Sequence, residues 1–240
     1  MKILALETSA RSVSAAVTEE GVPLACAYQN TGMTHSRTLM PLVDGLLRNS
    51  GMTLAEMDAV AVAAGPGSFT GIRIGIAAAK GLAWAADKPC CGVSTLDAMA
   101  RNVPLFEGLV IGAMDARRQQ IYNAVFEQHA GVLRRLTPDR AIGLEELAAE
   151  LKHEKKAEMP KIIVGDGAHL CYTFLLEQEI SCQMAPPAAL MQNAVGVGQA
   201  AAVPAREGRL VTAQQLLPVY LRMSQAEREK LARGEKTVIE

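Results

Sequence analysis

Residues 64–85 read AGPGSFTGIRIGIAAAKGLAWA, a glycine-rich loop running into a long helix with only two charges. Loops of this kind often hold phosphate, because glycines let backbone N–H groups close on an anion at a helix start. The spacing here fits none of the usual cradles. A P-loop needs G-x-x-x-x-G-K-[ST], but Gly71 is followed by Ile72 and Arg73, and the loop itself carries no cation. A dinucleotide fingerprint needs G-x-G-x-x-G after the first strand. Gly65, Gly67 and Gly71 are one residue too widely spaced, and they lie far into the chain. A nucleophile elbow needs G-x-S-x-G, and Ser68 follows Gly67 directly.

The other chemistry-bearing residues are sparse. Histidines stand at 35, 129, 153 and 169, without the i, i+4 pairing that a zinc or iron site on a helix requires. No metal site is expected. Asp115 and Arg117-Arg118, in DARR at a strand end, offer an acid and cations that would orient a ligand or simply close a turn. Glu7, Thr8 and Ser9 occupy the turn after the first strand. In an actin-like nucleotide fold that turn carries phosphate contacts and an acid for metal. ETSARS has the polar atoms but neither glycine nor Asp, which makes a weak cradle.

These residues must be placed by the elements around them. KILALET (2–8), SVSAAVT (12–18) and GVPLACAYQ (21–29) read as three strands of an antiparallel meander. HSRTLMPLVDGLLRN (35–49) reads as a helix closed by Gly51, with apolar residues wrapping beyond a one-sided stripe. A short helix (54–57) and a continuous apolar strand of the buried parallel type (58–65) precede the glycine loop; its helix is followed by a strand at CCGVS. The pattern then restarts. Strands 109–117, 120–128 and 132–137 form a second meander, followed by a helix (144–152), a charged loop KHEKKAE, a strand (161–167), a helix, and a further helix over about 190–202. Two similar lobes are expected, 1–105 and 106–204, with Pro104 near the boundary. A tail, 205–240, ends in the charged SQAEREKLARGEK as a solvated helix or frayed end.

The row Gly71, Gly75, Ala79 recurs every fourth residue and lets another backbone approach closely. Each glycine inside a helix costs about 1 kcal/mol relative to alanine, so the row needs a packing reason. Either the lobe's own sheet or a neighbouring helix supplies it, and the over-apolar helix 35–49 suggests an interface.

Composition narrows the class. The chain has 240 residues, half of them hydrophobic, and a net charge of −1. No global field draws it onto nucleic acid or anionic lipid. No apolar run approaches a membrane span or a signal peptide. Five cysteines without metal spacing fit free thiols in a reducing compartment. A cytoplasmic protein with no membrane association is expected.

The segments ILALETSARSVSAAV, THSRTLMPLV, AGPGSFTGIRIGIAAAKGLA, MDARRQQIY and PVYLR, in order from residue 2 to 222, resemble the TsaB (YeaZ) family. The resemblance implies an α/β fold of the actin, sugar-kinase and heat-shock ATPase type, with a mixed sheet and helices in each lobe. It also implies a bacterial partner protein in synthesis of threonylcarbamoyladenosine on tRNA. The related catalytic subunit TsaD carries a metal-binding histidine pair where this chain reads GVSTLDAMA (92–100). A non-catalytic paralogue without cofactor is implied, pairing with TsaD through its two first-lobe helices or with itself when TsaD is absent. TsaE joins the full complex, and tRNA is met only through that complex. The interface expected from the helices comprises His35, Leu39, Leu42, Val43 and Leu46 with Gly71, Ile72, Gly75, Ile76 and Ala79. Glu7, Thr8, Ser9, Asp115 and Arg117 are expected as the remnant of a nucleotide site. A metallopeptidase or ATPase is the enzymatic alternative, and an NAD-dependent enzyme a third, against which the length and position of the glycine motif argue.

Overall fold

The structure, a computed structural model, describes residues 1–117 and 119–222, the side chains of 154 and 155 excepted. Arg118 and the charged stretch 224–236 therefore lie outside the described residues. The first sheet holds β1 (Lys2–Glu7), β2 (Val13–Glu19), β3 (Val22–Gln29), β4 (Ala59–Gly65) and β5 (Cys90–Ser94), in the order β3-β2-β1-β4-β5. Its first three strands are antiparallel, and β4 and β5 add in parallel. The second sheet holds β6 (Gly108–Asp115), β7 (Gln120–His129), β8 (Val132–Arg135), β10 (Lys161–Val164) and β11 (Gln183–Met184), in the order β11-β10-β6-β7-β8. The short β9 (Arg140–Gly143) pairs with β7. Strand for strand, the second sheet repeats the order and sense of the first.

The helices are α1 (His35–Asn49), α2 (Phe69–Ala85), α3 (Thr95–Ala100), α4 (Leu144–Leu151), α5 (Glu154–Glu158), α6 (Ala168–Glu177), α7 (Pro187–Leu190) and α8 (Ala194–Arg206). Alternation along the strands sorts them into layers. Leu4, Leu6, Val60 and Val62 face α1 and α2, while Ile3, Ala5, Ala61 and Ala63 face α8. In the second lobe Leu109, Ile111 and Ile163 face α4 and α6, and Val110, Met114, Phe126 and Val164 face α3. The inner helices α3 and α8 pack on each other at the junction of the lobes. Among the described residues no helix is long and apolar enough to cross a membrane.

The expected strands and the longer helices appear within a few residues of their bounds. Helices α3 and α7 and strands β9 and β11 are additions to the expected elements, and the charged stretch 152–158 contains α5 rather than a continuous loop. The expected lobe limits need a larger correction. Helix α8, expected in the second lobe, packs on the first sheet. The reason is its bare face: a Cβ at Gly198 would stand 2.5 Å from the Thr18 hydroxyl, and one at Gly196 would stand 2.1 Å from the Ala98 carbonyl of α3. The following segment also returns to the first lobe. Val211 bridges to Cys90, Leu216 is buried in the outer core, and the Val219 N–H donates to the Ala64 carbonyl at 2.8 Å.

Candidate functional site: the cleft between the lobes and the outer helices

The ends of β1, β4, β6 and β10 converge on a cleft of about 620 Å³ lined by Ser9, Arg11, Gly67, Ser68, Asp115, Arg117, Asp166 and residues 219–222, among others. Ser9, Asp115 and Arg117 of the expected remnant thus share one cavity. Glu7 and Thr8 do not line it; they are fully buried beneath it.

Glu7 ends β1, and its Oε1 accepts the Ser9 N–H at 2.5 Å while Oε2 has no partner. Burial pushes its carboxyl up to about 7, against the pull of the Ser9 hydrogen bonds; the nearby Asp166 charge adds to the rise. The Thr8 hydroxyl donates to the Gly71 carbonyl at 2.7 Å and is committed to α2. The Ser9 carbonyl accepts the Ser68 N–H at 2.7 Å, and the Ser68 hydroxyl accepts the Gly71 N–H at 3.3 Å as the α2 cap.

The second-lobe side is built from two strand ends. Arg117 stands at φ +65°, and its N–H donates to Asp115 Oδ1 at 2.7 Å, so the pair closes the β6–β7 turn through the backbone. Asp166 follows β10 and lines the cleft with part of its side chain open to solvent. Burial raises its pKa, opposed by the Gln192 amide donating at 2.7 Å, with the Asp115 charge contributing to the rise. The main-chain carbonyl of Gln192 in turn accepts the Ser12 hydroxyl at 3.0 Å. Among the described residues no group of three His, Cys, Asp or Glu side chains is placed to hold a metal ion. Sequence reasoning missed Asp166 and Gln192. The signal for Asp166 was the GDG closing KIIVGDG, an acid at a strand end before a helix.

The glycine loop serves close approach within the chain. Gly65, φ +132°, would put a Cβ 2.2 Å from the Val219 carbonyl; Gly67, φ +157°, would put one 2.5 Å from the Ser9 carbonyl. The Gly65–Pro66 peptide is cis. The helix row does the same. A Cβ at Gly71 would meet the Thr8 carbonyl at 2.1 Å, and one at Gly75 the Thr8 hydroxyl at 2.3 Å.

This placement corrects the expected interface. Leu39, Val43, Leu46, Ile72, Ile76 and Ala79 are buried in the outer core of the first lobe, and Gly71 and Gly75 lie on the β1 end. They face the lobe's own sheet, the first of the two packing reasons weighed for the row, because that sheet needs covering as much as any partner would. Leu42 is partly buried along β3, and the His35 ring donates from Nε2 to the Ala10 carbonyl at 2.7 Å. The outward residues include Met40, Pro41 and Asp44 of α1 and Arg73, Ala77, Gly81, Trp84 and Ala85 of α2. Trp84 is 85% exposed, and Gly81 has open space where a side chain would stand. Sequence reasoning missed Trp84, although positions 77, 81 and 84 share the face opposite the small row.

The family model for TsaD, tRNA N6-adenosine threonylcarbamoyltransferase, matches residues 29–230. The tRNA threonylcarbamoyladenosine biosynthesis protein TsaB of Bacillus subtilis (strain 168) is 31% identical over 227 residues, covering 95% of this chain and 96% of its own. A crystal structure described as an uncharacterized protein with similarity to peptidase YeaZ from Pseudomonas aeruginosa superposes with a TM-score of 0.79 at 31% identity. It covers 92% of this chain and 99% of its own. The ethanolamine utilization protein EutJ from Carboxydothermus hydrogenoformans shares the fold alone, with a TM-score of 0.52 at 15% identity over 83% of this chain and 90% of its own. The two repeated sheets, their inner helices and these relatives together place the chain in the TsaB (YeaZ) family, within the wider family that the TsaD model describes and on the two-lobed fold of actin, sugar kinases and heat-shock ATPases.

Proposed function

We propose that this chain is the non-catalytic pairing subunit in threonylcarbamoylation of N6 of adenosine 37 in tRNAs reading ANN codons. It binds TsaD through the outer face of α1 and α2, pairs with itself through that face when TsaD is absent, and is joined by TsaE in the full complex. It works in the cytoplasm, without a cofactor of its own, and meets tRNA through the complex. The observation that carries the pairing is Trp84: the only tryptophan of the chain stands 85% exposed on a helix face that also carries Arg73, Ala77, Gly81 and Ala85. A large aromatic side chain beside a bare, low backbone is the arrangement that anchors protein interfaces. The cleft supports a supporting rather than a chemical role. Thr8 is spent on Gly71, Glu7 lies under the floor, and Asp115 holds its own turn.

Reconstitution tests this reading. tRNA, threonylcarbamoyl-adenylate and TsaD are combined with and without this chain, and modified adenosine is counted. Modification at full rate without it would reject the role, as would stoichiometric product formed by this chain without TsaD.

A further inference from the structure

The segment after α8 runs back along the first lobe and reaches the second. Leu216 is buried in the outer core of the first lobe, and the Val219 N–H donates to the Ala64 carbonyl at 2.8 Å. The approach is so close that position 65 must be bare: a Cβ on Gly65 would stand 2.2 Å from the Val219 carbonyl. One residue on, the Tyr220 ring stacks on Phe69 with centroids 4.7 Å apart. The Arg73 guanidinium lies 3.9 Å above the Phe69 ring, and its Nε donates to the Tyr220 hydroxyl at 2.9 Å. Two residues further, Arg222 Nη1 donates to the Ala116 carbonyl at 2.6 Å. Ala116 belongs to the β6–β7 turn of the other lobe. Residues 219–222 line the cleft mouth between these anchors.

We propose that residues 216–222 are a strap that fixes the angle between the lobes and closes the mouth of the cleft. Val219 and Tyr220 are its anchor on the first lobe and Arg222 its anchor on the second. Three peptide steps separate Val219 from Arg222, a span of at most about 10 Å when fully extended. The lobes therefore cannot open by more than the slack in those steps without losing one anchor. A tail that merely covered apolar surface would need no partner on the second lobe. It would also need no glycine at 65, whose left-handed backbone and missing side chain serve the strap directly.

Hydrogen exchange by mass spectrometry on the full chain tests the strap. Arg222→Ala removes only the second anchor, leaving the Leu216 and Tyr220 contacts. Segments 8–12, 66–70 and 114–117 are expected to exchange roughly tenfold faster, since a hydrogen bond from a charged donor gates their exposure. Helices α1 and α6, remote from the mouth, are expected to keep their rates, and Arg222→Lys to restore most of the protection. Tyr220→Ala, which loosens the first anchor, is expected to give the same pattern with added exchange at 69–73. Unchanged rates in the three cleft segments of Arg222→Ala would overturn the proposal. A uniform increase across both lobes would overturn it as well, because that is lost global stability rather than an opened mouth.

Discussion

The Thr8 hydroxyl lies 2.3 Å from where a Cβ on Gly75 would stand, and it donates to the Gly71 carbonyl one helical turn away. One β1-end residue therefore fills the groove made by both glycines and fixes α2 on the sheet. Any side chain at 75 has to displace it, together with Val62 at 3.2 Å.

Gly75→Ala is accordingly expected to lower folding stability by about 1–3 kcal/mol. Gly81→Ala, in open space on the outer face, is expected to raise it by up to about 1 kcal/mol through helix propensity. Urea unfolding of the two variants checks both signs. A neutral Gly75→Ala would mean that Thr8 does not seat α2.

Trp84→Ala is expected to leave the melting temperature unchanged, since the side chain is largely in solvent. Its effect should fall on pairing with TsaD, weakened by roughly 30-fold for the loss of an aromatic anchor of about 2 kcal/mol. Calorimetric titration against TsaD gives the number. An unaltered affinity would move the pairing surface off α2.

Glu7 gives stability a pH dependence of definite sign. Its carboxyl titrates near 4.5 when unfolded and about 7 when buried. Between those values the folded chain holds a proton that the unfolded chain has released. The contribution of Glu7 is thus present at low pH and lost as pH rises from about 4.5 to 7, at about 1.4 kcal/mol per unit. The raised pKa of Asp166 acts in the same direction. Glu7→Gln is expected to flatten this part of the curve and to gain on the unaltered chain as pH rises, by a few kcal/mol at pH 7. Denaturation at pH 5, 6, 7 and 8 checks it. Parallel curves for the two proteins would place the Glu7 proton elsewhere.

Gly196→Ala bears on the junction of the lobes, where the added Cβ would stand 2.1 Å from the Ala98 carbonyl. The two inner helices would have to separate, at about 1–3 kcal/mol. Thermal unfolding is expected to shift down accordingly. An unshifted transition would show that α3 and α8 tolerate a wider spacing.

The sequence by itself determined the repeated meander, the bounds of α1, the presence of a helix after the glycine loop, and the family, because strand alternation, turn residues and a long ordered set of segments are all local signals. It also marked Gly71, Gly75 and Ala79 as one face of a helix. Periodicity fixes which residues share a face, but a sheet and a partner helix make the same demand on that face. Only the tertiary structure decided between them, by setting Thr8 into the row and turning Trp84 outward. Distance along the chain explains the rest. Gln192 meets both Asp166 and Ser12 because the lobes fold against each other, and α8 joins the first sheet because Gly196 and Gly198 let its backbone come close. Gly65 and Gly67, read alone, suggested a ligand loop. Their actual partners, Val219 and Ser9, lie far along the chain in opposite directions, where no local pattern could point.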